Sequence, residues 1–440
     1  MRLGANWKII RQVHLLNYKT QMLSPLNFGK CNCRIQSDFL SQSAFFSSGR
    51  FTFRLPPIIS LFRRDFYCLT DVFAYVVALA LVLRECVPEL GFRGECLSLP
   101  WFSDGTMDYT SLIDVPSGLF PPGKRYNSSV GHFRRLYGER LQKLVIDAGF
   151  SCPNRDGTVG VGGCTYCDNA AFHPNYSTPD MDIITQLDEG ISFHKVRYRN
   201  AGKYLAYFQA YSNTYGPVEH LRQVYSRALS HPEVVGIVIG TRPDCIDGEK
   251  LDLLEGIMKD GLQGWEREGF GKPLVIVEYG IESCYDSSLK RINRGHDFAC
   301  AEKAVRMTAE RGIETGAHFI LGLPGETREM LLDQCPLINS LPLTSVKFHQ
   351  LQIVKGTRME KEFALNPEEF LTPTLPEYLD LIVDILERLR PDLCIERVAG
   401  EVPPRFVNST RWGLIRNFEI LRMLDVRLEE RNTYQGIKVK

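Results

Sequence analysis

Three cysteines offer the plainest chemistry in this sequence. Cys152, Cys164 and Cys167 stand at x11 and x2 spacing in the run Cys152-Pro-Asn-Arg-Asp-Gly-Thr-Val-Gly-Val-Gly-Gly-Cys164-Thr-Tyr-Cys167. Thiolates are soft ligands that favour iron–sulfur clusters or zinc, and a C-x-x-C pair can reach neighbouring metal positions. A structural zinc site closes with four ligands. Here the nearest downstream histidine, His173, breaks the usual finger spacing, and the next cysteine is Cys245. Three thiolates on a four-iron cube leave one iron open, which is what catalysis at a metal requires. The glycine-rich spacer lets the loop bend closely around a bulky inorganic core, and Pro153 and Asn154 start its turn. A zinc-stabilised loop, or three reduced thiols without metal, is the plainer alternative.

The elements around this loop must position it. Lys143–Ala148 reads as a strand that leads directly into the loop, after a helical pattern over Val130–Leu141. Beyond the loop, strands are expected at Lys203–Ala210, Val234–Ile239, Leu274–Tyr279, Thr315–Gly322 and Ser345–Ile353. Helical patterns over Met181–Tyr198, Glu219–Leu229, Lys250–Lys259, Phe298–Arg311 and Thr327–Ser340 separate them. Six strands alternating with helices imply parallel pairing, because a parallel neighbour needs a crossover. The polar and Gly-rich signals fall just after the strands, so an α/β fold with a partial (β/α)6 TIM-like barrel fits better than a doubly wound sheet. The expected organisation is an irregular extension over 1–120, the barrel over 121–357 and a small C-terminal subdomain over 358–440. That subdomain carries an apolar helix at Tyr378–Leu389 and a second helical pattern over Arg411–Arg427.

Composition bounds the rest. The chain has 440 residues, 44% apolar and 24% charged, enough to bury an ordinary core. Basic and acidic residues balance at 52 each, which removes a general polyanion binder from consideration. Residues 1–64 nevertheless hold ten basic side chains and one acid, Asp38, so the remainder is mildly acidic. This acid-poor, aromatic N-terminal stretch reads equally as an organellar presequence or as a translated segment with no selected fold. The apolar run Val72–Leu83 is too short to cross a bilayer, and no membrane span is expected. Thirteen cysteines are too sparse for a disulfide scaffold and odd in number, which points to a reducing compartment: the cytoplasm, or an organelle if residues 1–64 are a presequence.

The loop, with Tyr166 between the paired cysteines, resembles radical S-adenosylmethionine (SAM) enzymes, and among them the YhcC-like subgroup, which is related to the radical-SAM domain of the Elongator catalytic subunit. The resemblance runs from about Lys124 to Gly436. It includes Tyr207-Phe-Gln-Ala-Tyr-Ser-Asn-Thr-Tyr215, Gly240-Thr-Arg-Pro-Asp244, Glu278-Tyr-Gly-Ile-Glu-Ser283, Arg291-Ile-Asn-Arg-Gly-His296, His318-Phe-Ile-Leu-Gly-Leu-Pro-Gly-Glu326 and Ala399-Gly-Glu-Val-Pro-Pro-Arg405. The resemblance implies that Cys152, Cys164 and Cys167 hold a [4Fe–4S] cluster, with SAM on the fourth iron. Reductive cleavage would then release a 5′-deoxyadenosyl radical that abstracts hydrogen from substrate.

Strand ends become SAM contacts by the same resemblance. Tyr166 is placed against the adenine. The family's Gly-Gly-Glu, which meets the SAM amino group, is absent as such; Gln209, Ser212 and Asn213 stand at the equivalent strand end. Arg242 suits the SAM carboxylate, since a guanidinium matches it with two parallel hydrogen bonds, while Asp244 can fix that arginine instead. Glu278 and Glu282 suit the ribose hydroxyls or the SAM ammonium, or else an interior salt-bridge network with Arg291 or Arg294. Gly322 and Leu323 lie in a backbone segment resembling the one that holds adenine. Arg291, Arg294 and His296 read as a compact polar cluster, and His318 as a satisfied core histidine.

The resemblance leaves the substrate unidentified, with tRNA as one candidate. The segment Arg405–Lys440 has eight basic against four acidic residues, with Trp412 and Tyr434 available for stacking. A one-electron reductant such as a flavodoxin or ferredoxin is implied as partner. Two other classes stay open: a non-catalytic iron–sulfur electron carrier or sensor, and a zinc-stabilised nucleic-acid-binding module.

Overall fold

The computed structural model describes residues 115, 118 and 120–439, except 173, 198–201, 408–411, 413 and 414, together with two short strands, Ala44–Ser47 (β1) and Arg50–Phe53 (β2). Residues 1–107 and 108–440 form separate units; in the first, β1 and β2 pair antiparallel. The run Val72–Leu83 lies outside the described residues. Among the described residues no helix is long and apolar enough to cross a membrane.

In the second unit, seven strands form one sheet in chain order: Leu141–Ile146 (β3), Lys203–Phe208 (β4), Val234–Thr241 (β5), Leu274–Glu282 (β6), Glu314–Leu321 (β7), Ser345–Gln350 (β8) and Cys394–Arg397 (β9). Every neighbouring pair is parallel. Near-continuous apolar runs such as Val-Val-Gly-Ile-Val-Ile in β5 bury both faces, as a sheet covered by crossover helices requires. Gly236 belongs to that logic, because a Cβ there would come within 2.5 Å of the Leu274 carbonyl oxygen on β6.

The sheet curls without closing. Lys143 on the first strand of the sheet reaches Glu396 on the last at 2.5 Å, and it reaches Glu278 on the central strand at the same distance. Three strands meeting at one ammonium define the inside of a half-barrel. Its N-terminal end is plugged by Leu141, Leu205, Val235, Ile276 and Phe270, with Phe133 added from the helix Ser129–Tyr137 (α1). The larger core lies outside the sheet, beneath the helices, and contains Tyr225, Leu254, Val305, Phe319 and Phe348.

The sequence pattern anticipates six strands and the sheet has seven. The strand it misses, β9, is four residues long and reads Cys-Ile-Glu-Arg, too short and too charged to show an alternation. The sheet therefore runs past residue 357 into the segment read as a separate subdomain. The helix Leu375–Leu386 (α2) packs against the helix Asn417–Glu430 (α3) and starts at a capping box on Thr374. Pairing of Ile395 N–H with the Asn127 carbonyl at 2.7 Å ties the segment before α1 to β9.

Candidate functional site at the C-terminal strand ends

All seven strands point their C-terminal ends the same way, and the cysteine loop follows the first of them. Within the loop a small hairpin forms, with Asp156 bridging Val161, and Val159 and Gly160 donating to the Pro153 carbonyl at 2.8 and 3.2 Å. Asn154 is its internal strut. Fully buried, it donates to the Asn293 carbonyl at 2.6 Å and toward Cys164 Sγ at 3.7 Å. Gly160 must lack a side chain there, since a Cβ would sit 2.2 Å from Asn154 Oδ1. Asn293 and Arg358 both donate to the Gly163 carbonyl, at 2.8 and 2.6 Å, and so fasten the loop to two other strand ends.

Cys164 is buried while Cys152 and Cys167 are partly exposed, and none of the three is in a disulfide. Burial pushes the Cys167 thiol up, and the neighbouring sulfurs of Cys164 and Cys152 add to this; Arg155 opposes it. The three sulfurs are thus electrostatic neighbours. Arg155 donates to the Cys167 carbonyl at 2.7 Å, and Arg294 Nη1 lies 3.5 Å from Cys164 Sγ. A cavity of about 280 Å³ opens beside Cys164 and Cys167, rimmed by Arg155, Asp168, Lys355 and Arg358. Among the described residues no three His, Cys, Asp or Glu side chains converge closely enough for a single metal ion.

The remaining residues singled out in the sequence separate into three groups. Glu282 joins the sulfurs: it pairs with Arg294 at 3.3 Å from a backbone with φ of 73°. Tyr166 is alongside, packed against the apolar cluster that contains Leu323, Ile292 and Met359, and its hydroxyl is held well above its ordinary range by burial and then by the Glu282 carboxylate. Ser212 is tied to the same place, its N–H donating to the Ser151 carbonyl beside Cys152 at 3.3 Å.

A second group is occupied in holding the frame. Asn213 donates its amide to the Phe208 and Gly240 carbonyls at 3.1 and 2.8 Å, clamping the ends of β4 and β5, while its Oδ1 is buried without a partner. Gln209 N–H reaches back to the Ile146 carbonyl at 3.4 Å. Arg242 gives Nε and Nη2 to Asp244 at 2.9 and 2.7 Å and Nη1 to the Arg294 carbonyl at 2.8 Å, so its fork is filled by its own chain. Gly322 has φ of 88°, and a Cβ there would meet the Leu371 carbonyl oxygen at 3.1 Å; the segment after β7 is fixed by that close approach.

Glu278 forms the third group, deep in the barrel. It accepts from Lys143 and Lys347 at 2.5 Å each and from His318 Nε2 at 2.9 Å, and these partners hold its carboxyl well below the usual range against the cost of burial. It thus belongs to an interior ionic network, but with lysines in place of the expected Arg291 or Arg294. His318 is satisfied, as its strand position suggests. Lys143, Lys347 and Glu396 were not anticipated, although a lone lysine on the inward face of an apolar strand is a signal available in the sequence.

Two expectations fail. Arg291, Arg294 and His296 do not form one cluster: Arg291 pairs with Glu362 and Glu369, whereas Arg294 faces Cys164. Trp412 and Tyr434 are not stacking platforms. Trp412 packs on Tyr378 with ring centroids 4.7 Å apart and donates to the Pro373 carbonyl, and Tyr434 packs on Phe120. Arg427 and Arg431 nearby are paired with Asp380 and Asp384.

A profile of the radical SAM superfamily matches residues 157–334, and one of the Radical_SAM C-terminal domain matches residues 343–430. The Bacillus subtilis protein YtqA is 35% identical over 318 residues, covering 71% of this chain and 92% of its own. The chain belongs to the radical SAM superfamily. A second relative, Escherichia coli YhcC, is 36% identical over 305 residues, covering 65% of this chain and 93% of its own. A solved Elp3 from Methanocaldococcus infernus is 14% identical with a TM-score of 0.49, covering 67% and 64% of the two chains. Membership makes this chain a radical SAM enzyme, with a [4Fe–4S] cluster and SAM as its cofactors.

Proposed function

We propose that Cys152, Cys164 and Cys167 hold the [4Fe–4S] cluster, and that SAM lies between it and the strand ends carrying Ser212, Asn213 and Glu282. The observation carrying this reading is the ring of three unpaired thiols at the C-terminal strand ends, faced by Arg155 and Arg294. Thiolate ligands on a cluster leave net negative charge, and two guanidiniums in a half-buried site offset it. When bound, cluster and SAM together supply an electron and a 5′-deoxyadenosyl radical for hydrogen abstraction.

The chain's own part is to orient and to exclude water. Asn213 Oδ1, a buried acceptor without a partner, suits an ammonium group better than a carboxylate. Arg242 acts as a brace that holds Arg294 through its carbonyl. Tyr166, half-buried and backed by the apolar cluster that contains Leu323, offers a ring suited to a purine. The apolar plug beneath closes the barrel to solvent from the opposite end. The substrate enters at the open strand ends. RNA is retained as one candidate through the likeness to the Elongator subunit.

The test is anaerobic reconstitution followed by iron and sulfide analysis, then dithionite and SAM with detection of 5′-deoxyadenosine. Wild type should show ~400 nm absorbance and cleave SAM. C164A should lose both, and a C164A chain retaining both would overturn the ligand assignment.

A further inference from the structure

Three residues on the last three strands are left over from the cofactor site. His318 on β7, His349 on β8 and Arg397 on β9 all project from the inner face of the half-barrel, toward its C-terminal end. Register places them together: His318 is the partner of Lys347, and Lys347 is the partner of Arg397. The register shifts between Val346 and Lys347, so that Glu396 is an extra residue on β9. Such a bulge turns two consecutive side chains to one face. Glu396 uses this to reach Lys143 and Lys347, and Arg397 follows it inward.

The charge arithmetic then leaves a surplus. Below the wall, Glu278 and Glu396 neutralise Lys143 and Lys347. Arg397 is exposed, and among the described residues no hydrogen bond or ion pair engages it. The imidazoles of His318 and His349 lie 5.7 Å apart, both half-buried. His318 Nε2 is committed to the Glu278 carboxylate, which leaves its Nδ1 edge turned away from that bond. Burial and the nearby Arg397 hold His349 well below its ordinary range, so its ring is neutral and carries one N–H.

The wall is also braced from behind, which fixes the positions of its side chains. Gln350 and Gly400 exchange reciprocal hydrogen bonds at 3.1 and 2.8 Å, and Tyr378 OH donates to the Val398 carbonyl at 2.6 Å. Gly400 lies flat against the imidazole, since a Cβ there would come within 2.9 Å of His349 Nδ1.

We propose that Arg397, His349 and His318 form an oxyanion subsite for the substrate, on the side of the barrel mouth opposite the cysteine loop, and that the anion is a phosphate group. The guanidinium fork of Arg397 and the single N–H of His349 present donors to three oxygens, one more than a carboxylate offers, and His318 Nδ1 accepts from a protonated oxygen of the same group. The proposal rests on the reading that substrate enters at these strand ends.

The test is protection of Arg397 from an arginine-specific dicarbonyl reagent, read by peptide mass spectrometry on the full chain. Inorganic phosphate, acetate and SAM serve as separate probes. Arg397 should be modified readily in free protein, and phosphate should slow this at concentrations where acetate does not. H349Q should weaken protection by at least about tenfold, the loss expected for one hydrogen bond to a charged group. H349Q that unfolds, judged by circular dichroism, is replaced by H318N, for which the same loss is expected. C164A should retain protection, so failure of the cluster assignment leaves this result standing. Equal protection by acetate would overturn the phosphate assignment, protection by SAM alone would hand the wall to the cofactor, and protection by none would remove the subsite.

Discussion

Arg294 Nη1 lies 3.5 Å from Cys164 Sγ, across 130 residues of sequence, while the same guanidinium pairs with Glu282 at 3.3 Å. It also donates to the Gly280 carbonyl. One side chain therefore joins the end of β6 to the cysteine loop. Removing it strands a largely buried carboxylate and a buried sulfur together. R294A should lower stability by about 3–5 kcal/mol, the range for breaking a buried pair from one side, and should reduce iron bound per chain after reconstitution. Urea unfolding and iron analysis read the two effects; wild-type values in both would show that the contact is incidental.

Glu278 makes a different prediction, one about pH. Its carboxyl is held well below the usual range by Lys143, Lys347 and His318, against burial. A depressed carboxylate contributes stability that is full above its unfolded value of about 4.3 and is lost only as pH falls through the lower, folded value. E278Q removes the anion from between two lysines and should cost about 3–5 kcal/mol at neutral pH. The gap between E278Q and wild type should hold steady from pH 7 down to the ordinary carboxylate range and narrow only below it. Urea midpoints over that range decide the matter, and a gap that closes already near pH 6 would mean that Glu278 is not the charged centre of this network.

Four buried cysteines outside the loop provide a control. Cys245, Cys284, Cys335 and Cys394 are buried, and burial pushes each thiol up, that of Cys245 to about 11. A thiol that resists ionisation in an apolar setting behaves as a small hydrophobe. Alanine at any of the four should leave iron content at the wild-type level, whereas C152A, C164A and C167A should each reduce it sharply. Loss of iron in C245A would implicate a fourth sulfur.

Much of this arrangement is legible in the chain because the signals are local. Parallel strands show as short apolar runs between helical periods, and the cysteine loop shows as spacing. What stays hidden is long-range pairing. Nothing in the strand Ser-Val-Lys-Phe-His-Gln announces that Lys347 will meet Glu278 from β6 and Glu396 from β9, since the partners are set by register and curl. Arg242 shows the same limit: its type suits a ligand carboxylate, but Asp244, two residues away, fills its fork first. The strand β9 is missed because its stability comes from Asn127 and β8 on either side rather than from its own four residues.

The last prediction sets two neighbouring glycines of the loop against each other. At Gly162, φ is 80° and a Cβ would meet nothing within 4 Å, so G162A bears only the cost of a left-handed backbone, about 1–2 kcal/mol. At Gly160 the backbone is ordinary, but the Cβ would sit 2.2 Å from Asn154 Oδ1. Asn154 cannot retreat, because it is buried and its amide is held by the Asn293 carbonyl at 2.6 Å. G160A must therefore push the strut that reaches Cys164, at an overpacking cost of about 1–3 kcal/mol. The two variants should thus be of similar stability yet differ in function. G162A should take up iron like wild type, while G160A should take up less and show weaker absorbance near ~400 nm. Equal iron uptake by both variants would mean that Asn154 does not set the position of Cys164.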